Sequence, residues 1–363
     1  MGDVLFIVVV AARLLIPLWI PRFPLPTIVV ALVVDALDQT VLAAAGAEPL
    51  NYQQFDKALD IYYLSIAYLS TFRNWPDGVA FRVAQFLWYY RLIGVLAFEL
   101  SGERSLLLIF PNTFEFFFIF YEAVRVYREP AAMGRRVVIG VAAAIWIFIK
   151  LPQETFIHVA QLDATEELNA RPWIYAVLAG VALVGGVLVN RWRKTLPPPD
   201  WNRSFRVDAH PTTVLDEHAD TPTGRWVLLD HPLIEKTALV GLIITIFVQL
   251  VPENDSGLIE IIIASGFIVA TTSVIEYFLA GRWNAWRASS TSFACTGAIT
   301  SSIVLILGLL PVQSIGDGTG LGFTLFLLAL LTLIVTTYDR YRNLRIASFA
   351  EPRESAHSSI RTS

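Results

Sequence analysis

Residues 26–45 read PTIVVALVVDALDQTVLAAA, an almost unbroken apolar run into which Asp35, Asp38 and Gln39 are set. A helix rises about 1.5 Å per residue, so a run of this length covers the roughly 30 Å of hydrocarbon in a bilayer. The two aspartates fall near its middle. The stretch therefore predicts a transmembrane helix that carries two carboxyl groups at depth.

The whole chain has the composition of a membrane protein. It has 363 residues, of which 55% are hydrophobic and 16% charged, whereas soluble domains carry about a quarter charged residues. A net charge of -4 provides no basic surface for nucleic acid. We therefore exclude a soluble protein and a nucleic-acid partner, and expect the lipid bilayer to be the main partner.

Apolar runs bounded by proline, glycine and charge clusters predict about eleven spans. They lie at about 3–20, 26–45, 57–73, 79–98, 105–124, 137–158, 172–190, 235–251, 257–280, 289–311 and 321–338. Basic residues concentrate on alternate connections and acidic residues on those between, as the positive-inside rule expects. Arg13 interrupts the first run, and no basic residue precedes it, which favours a span over a secretory signal. The predicted fold is an all-α, polytopic transmembrane helical bundle in the plasma or inner membrane, with its N-terminus outside and its C-terminus inside.

The longest polar segment divides the predicted spans into two modules. We expect a seven-span module with a charged core at 1–194, a cytoplasmic linker at 195–233, a four-span module at 234–340 and a disordered cytoplasmic tail at 341–363. Histidines and carboxylates share the linker, but a zinc site needs ligands at close, regular spacing. The spacing here favours a solvated linker.

Ionisable residues inside the spans are the main candidates for function, because a charge in hydrocarbon is costly and rare. Asp35 and Asp38 lie three residues apart and so share one helix face. A hairpin brings Asp56 and Asp60 close to them, in the outer half of the membrane. Such carboxylates must share protons, bind a cation or be neutralised by arginine. All of these aspartates are predicted ligands if a divalent cation binds.

Arg13 and Arg91 are the predicted counter-charges. One interpretation is that both arginines lock the helices together through buried ion pairs, with Arg91 paired to Asp35, Asp38 or Glu115. The other is that the planar guanidinium of Arg91 clamps a phosphate or carboxylate of a substrate. The sequence leaves both open.

Prolines predict breaks in two of the charged spans. Pro111 removes a backbone donor from the fifth span, next to Asn112 and Glu115, which share a face. Freed backbone groups are tolerated at membrane depth only where protein satisfies them or where they line a cavity. We predict a kink there.

A ladder of ionisable residues closes the sixth span. Lys150, Glu154 and His158 recur every four residues around Pro152. The ladder could relay protons or hold an anionic head group. Alternatively, Lys150 snorkels to the membrane surface and pairs with Glu154.

Three functions fit these features. We favour a transporter or flippase-like protein for a small solute or lipid, because midplane charges and broken helices are typical of secondary transporters. Its predicted cavity is lined by Arg13, Asp35, Asp38, Asp60, Arg91, Asn112, Glu115, Lys150, Glu154 and His158. An intramembrane metal-dependent enzyme acting on lipid-linked substrates, with Asp35, Asp38, Asp56 and Asp60 as ligands, is the first alternative. A non-catalytic scaffold or complex subunit is the second.

Overall fold

The computed structural model describes most of the N-terminal half of the chain and two helices of the C-terminal half. The described residues are 2–44, 46, 52–75, 78–155, 180, 185–187, 190–192, 194–198, 204–207, 231–251 and 322–342. Within these ranges the regular structure is helical and contains no strand. The all-α class is confirmed for this part of the chain.

The main helices are numbered here in chain order. They are α1 Gly2–Leu15, α2 Pro24–Ala44, α3 Tyr52–Asn74, α4 Gly78–Ser101, α5 Ser105–Ile109, α6 Thr113–Tyr127, α7 Arg135–Glu154, α8 His231–Leu250 and α9 Gly322–Arg342. α1 continues as a tighter 3-10 turn over Ile16–Trp19, which contains Pro17. α2 begins at Pro24, where the fixed φ of proline suits the first turn of a helix.

The chain forms two compact units. The first unit contains Met1–Arg22, Val30–Asn74 and Val207–Ser363, and the second contains Phe23–Val29 and Trp75–Arg206. The predicted linker at 195–233 lies largely outside the described residues, so the division into a seven-span and a four-span module stays a prediction.

α3 is the core helix of the first unit. It is buried along nearly all of its second half, where Tyr62 and Tyr68 are fully enclosed. At one end of α3, Phe55 packs edge-on against Phe6 of α1, with ring centroids 5.4 Å apart. Phe55 also packs edge-on against Phe323 of α9, with ring centroids 4.7 Å apart. Edge-to-face contacts of this kind fix how the helices approach one another.

An aromatic and charged cluster closes one end of the second unit. Trp75 stacks on Phe118 and Tyr121, with ring centroids 5.6 and 3.9 Å apart. Its indole nitrogen donates to the Glu122 carboxylate at 2.7 Å, and Arg125 Nε donates to the same carboxylate at 2.6 Å. Glu122 is completely buried, so both bonds replace its lost hydration.

Five described helical segments, one of which comprises both α5 and α6, are long and apolar enough to cross a membrane. They are Pro24–Ala44, Gly78–Ser101, Ser105–Tyr127, Arg135–Glu154 and Gly322–Arg342. Each coincides with a predicted span, and their exposed faces carry large apolar side chains such as Val33, Leu37 and Phe148. These helices indicate embedding in a lipid bilayer. The predicted spans at 257–280 and 289–311, and most of 172–190, lie outside the described residues.

Candidate functional site

The structure divides the predicted cavity residues between the two units. Arg13, Asp35, Asp38 and Asp60 lie in the first unit, together with the predicted metal ligand Asp56; we call these five the aspartate cluster. Arg91, Asn112, Glu115, Lys150 and Glu154 lie in the second unit; with Thr113 they form what we call the break cluster. His158 lies outside the described residues.

In the aspartate cluster a single guanidinium contacts every carboxylate. Arg13 Nη1 donates to Asp38 at 2.5 Å and also to Asp56. Arg13 Nη2 donates to Asp60 at 2.6 Å and also to Asp35. Each terminal nitrogen therefore joins one carboxylate of α2 to one of α3.

Helical periodicity and one backbone contact produce this arrangement. Asp35 and Asp38 are three residues apart on α2, and Asp56 and Asp60 are four apart on α3, so each pair presents one face. The Tyr62 hydroxyl donates to the backbone carbonyl of Leu14 at 3.0 Å. Leu14 is the residue after Arg13, so this bond holds α1 against α3 next to Arg13. The guanidinium of Arg13 is thereby directed between the two carboxylate pairs.

The aspartate cluster carries more negative than positive charge. Four carboxylates surround one guanidinium, and the neighbouring Lys57 of α3 would still leave an excess of negative charge. Asp35 and Asp60 also contact each other. Since carboxyl groups in contact repel one another when all are ionised, the excess negative charge favours protonation of a carboxyl group or binding of a cation.

Accessibility changes sharply across the aspartate cluster. The side chains of Asp38 and Arg13 are 1% and 4% exposed, whereas that of Asp60 is 43% exposed. An exposed carboxylate is not stable against hydrocarbon, so the open side at Asp60 suits contact with water or a ligand. The cluster thus has a closed wall and an open wall.

Three of the carboxylates have the spacing of a metal site. Asp35, Asp38 and Asp56 can each offer an oxygen atom, and these atoms lie within 4.8 Å of one another. Oxygen ligands of this kind suit Mg²⁺ or Mn²⁺. Arg13 contacts the same carboxylates, so a metal would compete with the guanidinium for them.

Arg91 donates a hydrogen bond to a backbone carbonyl of its own unit. Asp35 and Asp38 bind Arg13, and Arg91 Nη1 donates to the backbone carbonyl of Phe110 at 3.1 Å. That Arg91 pairs with Asp35, Asp38 or Glu115 stays a prediction. Sequence gives the depth of each charge, whereas packing decides which helix lies beside it.

The kink predicted at Pro111 is confirmed as a complete interruption of the helix. α5 ends at Ile109, and α6 begins at Thr113. The carbonyls freed at Ile109 and Phe110 accept hydrogen bonds from Tyr90, at 3.0 Å, and from Arg91. α4 thus satisfies the broken backbone, as membrane depth requires.

The break also depends on the absence of a side chain at Gly94 of α4. A Cβ atom placed there would lie 2.0 Å from the Cβ of Phe110. We expect Gly94→Ala to displace Phe110 and to lower the free energy of unfolding by about 1–3 kcal/mol, the usual cost of overpacking. Unfolding of the detergent-solubilised protein measures this loss.

The matched control for Gly94→Ala is Gly140→Ala in α7. A Cβ at Gly140 meets no atom within 4 Å, and alanine is the better helix former by up to about 1 kcal/mol. Gly140→Ala should leave the protein equally or more stable. Equal losses in both variants would contradict the close contact between Gly94 and Phe110.

Lys150 lies in a second irregular segment. Residues Trp146–Lys150 form a π-helical turn immediately before Pro152, and such turns are frequent at functional sites. Lys150 is only 4% exposed; its ammonium donates to Gln153 at 3.1 Å and lies 4.2 Å from the ring centroid of Phe116. The alternative in which Lys150 snorkels to the membrane surface is therefore wrong.

The break cluster is balanced in charge, in contrast to the aspartate cluster. Lys150 interacts electrostatically with Glu115, Glu154 and Arg91, which makes two positive and two negative groups. Both glutamates are buried. Asn112 Nδ2 donates to Glu115 at 3.0 Å. This site needs no extra proton or cation for neutrality.

Two buried ion pairs were missed by sequence reasoning. Lys236 Nζ donates to Asp339 Oδ2 at 3.0 Å and lies 2.8 Å from Oδ1 of the same carboxylate, and Arg125 Nε donates to Glu122 at 2.6 Å. The spacing of Glu122 and Arg125 on one helix face is a signal for that pair, whereas nothing local joins Lys236 to a residue 103 positions away.

No family model, curated protein or solved structure matches this chain. The described residues define a helical protein with several helices of membrane-spanning length and two clusters of buried charge.

Proposed function

We propose that this protein is a cation-coupled membrane transporter and that the aspartate cluster is its coupling site. The supporting observation is the contact of one buried guanidinium with four carboxylates. A balanced buried ion pair can act as a static lock without any further ion. An excess of carboxylates provides sites that protons or metal cations can occupy and leave.

The gradient of exposure supports exchange with water. Asp60 lies on the open wall and Asp38 on the closed wall. A cation arriving at Asp60 competes with Arg13 Nη2 for the carboxylates, and the freed guanidinium remains tethered to α1. Binding therefore alters the contacts between α1, α2 and α3, which is the kind of differential contact that can shift a conformational equilibrium.

The topology belongs to the same proposal. We retain about eleven spans, with the N-terminus outside and the C-terminus inside, in the plasma or inner membrane. In this orientation the aspartate cluster lies in the outer half of the bilayer. The transported species is a small solute or a lipid.

Charge displacement on a solid-supported membrane tests the coupling site. The full chain in proteoliposomes is exposed to rapid concentration jumps of H⁺, Na⁺, K⁺, Mg²⁺ and Mn²⁺. We expect at least one of these cations to give a saturable transient current. Asp35→Asn combined with Asp38→Asn should reduce that current at least about tenfold, because both α2 carboxylates lose their charge.

The control is Lys236→Met combined with Asp339→Leu, which removes a balanced ion pair from the same unit. Its current should equal that of the wild type. A wild type without current for any of the five cations, or an Asp35/Asp38 variant with an unchanged current, would overturn the proposal. The aspartate cluster would then be the static core of a scaffold.

A metal-dependent enzyme acting on lipid-linked substrates is the second candidate, favoured by the spacing of Asp35, Asp38 and Asp56. Its test is Mn²⁺ binding followed by electron paramagnetic resonance, together with turnover of a polyprenyl diphosphate in the same proteoliposomes. Binding and turnover that disappear in the Asp35→Asn, Asp38→Asn variant, without any charge displacement, would favour the enzyme. Displacement without turnover would favour the transporter.

A further inference from the structure

Two buried oxygen atoms at the start of α6 lack a hydrogen-bond partner. Thr113 is 1% exposed, and its Oγ1 atom is among the described side-chain atoms that are buried without a partner. Asn112 Oδ1 is another. Buried polar atoms are almost always bonded to protein, water or ligand. These two atoms therefore leave hydrogen bonds open to a water molecule or a ligand.

The orientation of the Asn112 amide follows from its neighbour. Its nitrogen lies 3.0 Å from the Glu115 carboxylate, and an ionised carboxylate can only accept a hydrogen bond. The amide oxygen must then face the other way. As an acceptor it requires a donor, so the missing species carries O–H or N–H groups.

The electrostatics of the break cluster select an uncharged species. An anion would face Glu115 and Glu154, and a cation would face Arg91 and Lys150 as well as the positive end of α6. The opposed charges already neutralise one another. A zwitterion would have to displace Asn112 from Glu115 and Gln153 from Lys150.

The walls of the break are aromatic. Tyr90 lies between Phe110 and Trp146, with ring centroids 4.5 and 5.0 Å from theirs. Its hydroxyl is fixed by the carbonyl of Ile109. Aromatic rings that flank the break suit the C–H faces of a ligand, and the two partnerless oxygens suit its hydroxyl groups.

We propose that the break cluster binds an uncharged polyhydroxy group, a sugar or polyol, whose hydroxyls bond to Asn112 Oδ1 and Thr113 Oγ1. That this group is the transported species rests on the proposed transporter function. Its source is a free solute or the glycosyl head group of a lipid. Asn112 is only half-buried, so the group enters on that side of the break.

Thermal unfolding of the full-length protein tests the site with defined probes. The free probes are glucose and myo-inositol, with gluconate and glucosamine as charged counterparts at equal ionic strength. A glucosyl diacylglycerol in nanodiscs represents the lipid source. Polyols stabilise folded proteins non-specifically, so the informative quantity is the difference between the wild type and Thr113→Val.

Thr71→Val is the matched control, because Thr71 is fully buried and its hydroxyl donates to the Tyr68 carbonyl at 2.6 Å. Without probe, Thr71→Val should be less stable than the wild type. Thr113→Val should be equally or more stable, since a buried hydroxyl without a partner is replaced by a methyl group of the same shape. This difference in sign is specific to an empty hydrogen-bonding site.

With an uncharged probe, free or lipid-bound, the wild type and Thr71→Val should show saturable stabilisation. In Thr113→Val the apparent affinity should fall at least tenfold, and the charged probes should give no saturable effect in any variant. Equal responses of the wild type and Thr113→Val would overturn the proposal. So would destabilisation of probe-free Thr113→Val as large as that of Thr71→Val, which would mean that a buried water bonds to the hydroxyl. Either failure leaves the charge displacement at Asp35 and Asp38 untouched, because that measurement uses other residues.

Discussion

Arg13→Gln is expected to lower the free energy of unfolding by about 3–5 kcal/mol, the cost of leaving a buried charge without its partner. Its guanidinium is 4% exposed and is the hydrogen-bond donor to Asp35, Asp38, Asp56 and Asp60. Glutamine keeps the length of the side chain but supplies no charge. Chemical unfolding of the detergent-solubilised protein at neutral pH measures the loss.

Three further changes identify the origin of that loss. Protonation neutralises carboxylates, so the stability difference between the wild type and Arg13→Gln should shrink as the pH falls. Adding Asp35→Asn and Asp38→Asn to Arg13→Gln should restore part of the stability at neutral pH for the same reason. The stability of Arg13→Lys should lie between that of the wild type and that of Arg13→Gln, because an ammonium group keeps the charge but lacks the planar fork that joins two pairs of carboxylates.

Arg22→Gln is the matched control, because Arg22 is exposed on the connection between α1 and α2. An exposed substitution is expected to change stability by no more than about 0.5 kcal/mol. If Arg13→Gln cost no more than Arg22→Gln, the aspartates would not depend on Arg13 for their charge. The proposal that an incoming cation competes with Arg13 for these carboxylates would then be wrong.

The sequence predicted the aspartates of the cluster and two arginines as counter-charges, but not which arginine joins the four carboxylates. Helical spacing places Asp35 beside Asp38, and the hairpin between α2 and α3 brings Asp56 and Asp60 to them; both effects are local. Arg13 and Arg91 looked equivalent, because both lie within apolar runs. Only the packing of α1 against α3, fixed in part by Tyr62 and Leu14, distinguishes them.

At the two helix breaks as well, one feature was predictable from the sequence and the other depended on packing. Pro111 interrupts its helix because proline lacks a backbone donor, and this effect can be predicted from the sequence. The burial of Lys150 was not predictable in this way, since snorkelling and burial are equally open to a long side chain in a sequence. The π-helical turn before Pro152 and the ring of Phe116 decide between them.

Lys236→Met alone is expected to cost about 3–5 kcal/mol of stability, because it leaves Asp339 buried without its counter-charge. Lys236 is 1% exposed, and Asp339 is 9% exposed. The pair joins α8 to α9, so its loss should loosen both helices. Chemical unfolding under the conditions used for Arg13→Gln gives the comparison.

Lys236→Met combined with Asp339→Leu should recover most of that stability, since apolar residues replace a buried ion pair with little or no net cost. Full neutralisation of the aspartate cluster with apolar residues should instead abolish cation-dependent charge displacement whatever its effect on stability. A balanced pair needs only to be matched, whereas a cluster with excess carboxylates provides a place for a cation. If the Lys236/Asp339 double variant stayed as unstable as Lys236→Met, balance of charge would not separate a structural pair from a functional cluster in this protein.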